Sequence, residues 1–112
     1  MKIYKLFKKY RDCKSGNNID YKNAKVLLEG NNQCILLDVR SEQEYKEGHL
    51  EGSINIPVYD INEEIQKVIP NRNNPIIVYC QSGSRSRKAI SILSKKGYEE
   101  LYNIEGGLDS LE

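Results

Sequence analysis

The sequence predicts an α/β fold, with a central, mostly parallel sheet of about five strands flanked by helices on both faces. Two observations carry this. Short apolar runs alternate with segments whose apolar residues recur at helical spacing. One run, Cys34-Ile35-Leu36-Leu37-Asp38-Val39, is apolar almost without interruption, as in a strand buried on both sides of a parallel sheet. The chain has 112 residues, enough for one domain with one core.

The N-terminal segment is basic, with Lys2, Lys5, Lys8, Lys9, Arg11 and Lys14 against Asp12. Ile3, Leu6, Phe7 and Tyr10 share one helical face. Such a helix can lie on a membrane or a partner, or on its own domain with the lysines solvated. The segment is short and has no Trp, so we expect the second and no membrane-surface contact by residues 2–10. Cys13, among basic residues, is either a sensitised thiol or an incidental one.

Ser15 to Asn18 reads as a loop, and Ile19 and Tyr21 as a very short strand. Tyr21 to Glu29 has a helical pattern, with Gly30 placed to end it. Cys34 to Val39 is the buried strand, closed by Asp38. Cys34 is either a small buried hydrophobe or a resolving thiol. Ser41 and Glu44 have the spacing of a capping box for a following helix. Gly48 to Ser53 is a loop, and Ile54 to Ile56 a short strand. His49, the single histidine, is either a general base or a loop-fixing hydrogen-bonding group; a nest-stabilised thiolate favours the second. Ile61, Ile65, Val68 and Ile69 give one face of a helix that stops before Pro70. Gly97 ends a further helix, and Leu101, Tyr102 and Ile104 form the last strand. Gly106-Gly107 turn the chain into a short tail.

Between the last two strands lies the stretch with chemistry. Ile76-Ile77-Val78-Tyr79 runs into Cys80, then Gln81-Ser82-Gly83-Ser84-Arg85-Ser86, then a helix with Ala89, Ile90 and Leu93 on one face. This places a thiol at a helix N-terminus, where unpaired N–H groups and the helix dipole favour an anion. Cys80 is therefore expected to ionise easily and act as a nucleophile. Gly83 allows the amides to turn inward, and Arg85 adds a positive charge able to hold an anionic substrate. In open α/β sheets the ligand site lies beyond the C-terminal strand ends, where Cys80 falls.

Net charge is +1, which gives no electrostatic reason to expect a nucleic-acid partner. No apolar run approaches the ~18 residues of a membrane span, and no signal-peptide core is present. Three cysteines without metal-site spacing fit free thiols, so we expect a cytoplasmic protein with no metal and no cofactor.

Taken together, Leu37-Asp38-Val39-Arg40, Glu44-Tyr45, Gly48 to Pro57, Val78 to Ser86 and Ile104 to Leu108 resemble, in order, the motifs of single-domain rhodanese-like sulfurtransferases. The resemblance covers about residues 19–111. It implies a rhodanese-like domain at 17–112 after a basic segment at 1–16, and a persulfide carried on Cys80 within the backbone cradle of Gln81, Ser82, Gly83, Ser84, Arg85 and Ser86. The implied partners are small sulfur anions or persulfides, with a thiol or thioredoxin-type protein as acceptor. Gln81 stands where many members have Arg, which weakens the case for a dianion such as thiosulfate; Leu111 stands near the family's usual Trp. Two rivals remain. A phosphatase or arsenate reductase resembles Cys-x5-Arg, one residue longer than the Cys80–Arg85 spacing here. A non-catalytic persulfide carrier, sensor or docking module would keep the same loop.

Overall fold

The computed structural model describes residues 17–111. The basic amphipathic segment and Cys13 lie outside the described residues. Five parallel strands form one sheet: β1 (Asn17–Ile19), β2 (Ile35–Asp38), β3 (Ile54–Asn55), β4 (Ile76–Tyr79) and β5 (Leu101–Ile104), in the order β1-β5-β4-β2-β3. Among the described residues the sheet is wholly parallel, rather than mostly so.

The helices are α1 (Tyr21–Gly30), α2 (Glu42–Glu47), α3 (Ile61–Val68) and α4 (Ser84–Lys95), with short 3-10 turns at Val58–Asp60 and Gly107–Leu111. Alternate strand residues face opposite ways, as the pleat requires. Ile76, Val78 and Cys80 pack with Ile61 and Ile65 of α3 and Ala89, Ile90 and Leu93 of α4. Ile77 and Tyr79 pack on the other face with Ala24 and Leu27 of α1. The core is therefore two layers separated by the sheet. The Tyr98 hydroxyl reaches the Ile69 carbonyl and ties the end of α3 to the chain entering β5.

Local chemistry sets the boundaries. The Asp20 side chain accepts from the Asn23 amide and starts α1. Ser41 and Glu44 form the expected capping box at α2. Gly97, at φ 96°, stops α4.

Four details differ from the sequence reading. α1 runs through Gly30 rather than stopping at Glu29, and the chain leaves through extended Asn31. The first strand is Asn17–Ile19; Tyr21 is already helical because Asp20 caps it. Val68, the last residue of α3, is 40% exposed at the margin of the apolar face, while Ile69 beyond it is buried. Cys34 precedes β2 and is half-buried, packed against the α1-side core. Burial, with Glu100 adding to it, pushes the Cys34 thiol up to about 12, which keeps it protonated and a poor nucleophile.

Candidate active site

The site begins at the C-terminal end of β4. Tyr79 is the last strand residue, and Cys80 opens the loop that climbs into α4. Cys80 is only 1% exposed, so its sulfur forms the floor of the loop rather than part of the outer surface. The Gly83 amide donates to Cys80 Sγ at 3.0 Å and the Ser86 amide at 3.3 Å. Ser86 Oγ lies 3.5 Å from the sulfur. Burial alone raises the thiol. The Ser86 hydroxyl, when its hydrogen is turned to the sulfur, and the Ser86, Gly83 and Ser82 amides outweigh it, and the net effect lowers Cys80 below its ordinary value.

Gly83 makes this turn possible. Its φ of 111° lies where L side chains are rarely found. A Cβ there would also come within 3.3 Å of the Arg87 guanidinium. Of the six residues expected to cradle the sulfur, Gly83 and Ser86 supply the backbone hydrogen bonds at 3.0 and 3.3 Å, and the Ser82 amide adds to them. Ser84 is exposed and forms the first turn of α4. Gln81 turns aside, its amide donating to Asp109 Oδ1 at 2.7 Å.

Arg85 does not stand free in the loop. Its Nη1 and Nη2 donate to the two carboxylate oxygens of Glu44, at 2.7 and 3.0 Å. The positive charge expected to hold a substrate anion is thus matched by a carboxylate from α2. The Arg85 hydrogen bonds hold the Glu44 carboxyl far below its ordinary range, at about 2. On the other side, the chain after β5 clamps the loop. The Leu108 amide donates to the Cys80 carbonyl at 3.0 Å and the Asp109 amide to the Gln81 carbonyl at 2.9 Å. Gly107, at φ 61°, passes so close beneath that a Cβ would come within 2.6 Å of the Gln81 oxygen and closer still to that of Cys80.

His49 takes the loop-fixing role. Its Nδ1 lies 2.7 Å from the Tyr45 carbonyl, which can only accept, so Nδ1 carries the hydrogen. The imidazole stacks on the Tyr45 ring, with centroids 3.7 Å apart. Beneath this loop, buried Arg40 makes a forked contact with buried Asp38, its Nη2 at 2.8 Å from Oδ2, and also donates to the Gly48 carbonyl. The Tyr79 hydroxyl accepts from the Leu50 amide and donates to Ser53 Oγ.

Sequence reasoning passed over Glu44 as a loop partner, Asp109 and Asn103. Asn103 carried a signal: it is a polar residue inside the otherwise apolar run Leu101 to Ile104, and it is buried there.

A buried cysteine ringed by amides at the C-terminal end of a parallel sheet places the chain among α/β proteins whose site lies at the strand ends. The model of the rhodanese-like domain matches residues 20–112, and the chain belongs to that family. It is similar to the thiosulfate sulfurtransferase PspE of Escherichia coli strain K12, 39% identical over 75 residues that cover 67% of this chain and 71% of the relative. It is also similar to a tRNA uridine(34) hydroxylase of Buchnera aphidicola subsp. Baizongia pistaciae, 33% identical over 97 residues, covering 83% of this chain but 31% of that protein. Among solved structures, a rhodanese with anions from E. coli superposes with a TM-score of 0.62 at 37% identity, covering 68% of this chain and 88% of that one. The human single-domain sulfurtransferase TSTD1 superposes with a TM-score of 0.75 at 23% identity, covering 86% and 95%, a likeness of fold.

Proposed function

We propose that the protein is a sulfurtransferase that moves a sulfane sulfur from thiosulfate, a polysulfide or a persulfide to cyanide or a thiol through a persulfide on Cys80. The observation that carries this reading is the convergence of the Gly83 and Ser86 amides on Cys80 Sγ in a loop with four residues between cysteine and arginine. That nest suits an anionic sulfur, and the resemblance to PspE supports sulfur as the atom transferred.

The Cys80 thiolate attacks the outer sulfur of the donor. A new S–S bond forms, the donor's bond to that sulfur breaks, and sulfite or a thiolate leaves with the electron pair. The Gly83 and Ser86 amides face the developing negative charge, and one such preorganised donor is worth about 3 kcal/mol in a transition state. The acceptor then attacks the outer sulfur, and Cys80 departs as the thiolate. No outside oxidant or reductant is consumed, and the kinetics are ping-pong.

One feature favours a persulfide or polysulfide donor. Arg85 is paired with Glu44 and the Gln81 amide is turned to Asp109, so the Arg85 charge is already matched before thiosulfate arrives. A carrier that loads readily but passes sulfur slowly to small acceptors shares this feature.

Intact mass after incubation with thiosulfate, and separately with polysulfide, tests the reading. One added sulfur at Cys80, released by reductant, is expected, with no addition and no transfer in Cys80→Ser. Substantial transfer by that variant overturns the mechanism. Loading without cyanide turnover identifies a carrier.

A further inference from the structure

Ser86 Oγ has one hydrogen and three neighbours able to accept it. The Asn103 carboxamide oxygen lies at 2.5 Å, the Gly83 carbonyl at 2.9 Å and Cys80 Sγ at 3.5 Å. The Asn103 amide is oriented from behind: its Nδ2 donates to Asn18 Oδ1 on β1 at 2.8 Å, which leaves Oδ1 facing Ser86. Ser86 is fully buried and Asn103 nearly so, so water does not replace either partner.

We propose that Asn103 is a positioning residue that draws the Ser86 hydroxyl hydrogen away from Cys80. In this arrangement the sulfur receives the Gly83 and Ser86 amides, while the Ser86 oxygen offers it a lone pair. The Ser86 hydroxyl joins the amides as a donor to the sulfur only when it turns away from Asn103. Asn103 thereby sets how acidic the thiol is, and so how much thiolate stands ready at neutral pH. The inference rests on Cys80 being the sulfur carrier proposed above. It concerns what tunes that carrier.

Other charges near the loop are fixed by their own partners or positions. On α4 these are Arg85, paired with Glu44 of α2, and Arg87 beside Gly83. Tyr59 approaches Arg85 from the Val58–Asp60 turn, and Asp109 holds Gln81 from the closing turn. At the strand ends lie the Asp38–Arg40 pair and the Tyr79 hydroxyl. All are retained in the variants below and cancel in the comparison.

The test is the pH dependence of Cys80 alkylation by iodoacetamide in the full chain, which needs no sulfur donor. Failure of this inference is therefore distinct from failure of sulfur transfer. Asn103→Leu is expected to lower the midpoint by about one pH unit, the size of effect one hydrogen bond to a thiolate produces. In a Ser86→Ala background the same change is expected to leave the midpoint where it was, because Asn103 acts through the hydroxyl. Asn18→Ala frees the Asn103 amide to turn, so it is expected to lower the midpoint in the same direction; this variant alters an exposed residue and keeps the test valid if Asn103→Leu does not fold. An unchanged or raised midpoint in the folded variants, or an equal shift with and without Ser86, overturns the proposal.

Discussion

Glu44 and Arg85 meet end to end, each carboxylate oxygen taking one guanidinium nitrogen at 2.7 and 3.0 Å. The contact joins α2 to the first turn of α4 and matches the Arg85 charge beside the sulfur site. Because Glu44 Oε1 also accepts the Ser41 amide, one carboxylate caps a helix and neutralises the loop.

Glu44→Gln releases the Arg85 charge. The KM for thiosulfate is expected to fall about tenfold, as one charge-assisted contact allows, with less change for a monoanionic persulfide. Steady-state kinetics with both donors check this; equal effects on both would contradict it.

The same carboxylate has a pH signature. Its folded-state value is held at about 2, below its ordinary 4.5, so the stabilisation is complete above 4.5 and is lost as the pH falls toward 2. The pair is about a third exposed and screened, so its worth is about 1 kcal/mol at most. Urea midpoints measured across this window should fall more steeply for the native chain than for Glu44→Gln.

Gly107→Ala forces a methyl group against the carbonyls of Cys80 and Gln81 at a left-handed backbone position. We expect about 1–3 kcal/mol of destabilisation. Sulfur loading of the protein that remains folded should slow, since the displaced carbonyls belong to the cysteine loop. Thermal melts and loading rates measured together check both; a variant with native stability would show that the clamp is slack.

Asp38→Asn leaves the Arg40 guanidinium buried without its counter-charge. The expected cost is about 3–5 kcal/mol, read from urea unfolding.

The strands, the cysteine loop and the capping box were legible because each depends on residues close in sequence. An unbroken apolar run, a glycine three residues past a cysteine, and Ser41 three before Glu44 carry their own local geometry. Chain crossing hid the rest. The partner of Arg85 lies 41 residues away, and Gln81 and Asp109 meet across 28. Spacing along the chain does not announce such pairs. Val68 failed for a smaller reason: helical periodicity marks a face but not which residues at its margin are covered.

The outer strands, β1 and β3, are three and two residues long. Among the described residues, little bare backbone is left along either border of the sheet for a stray chain to extend it. Concentrated solutions should therefore resist the edge-to-edge growth that leads to fibrils, although the interior strands are rich in Ile, Leu and Val.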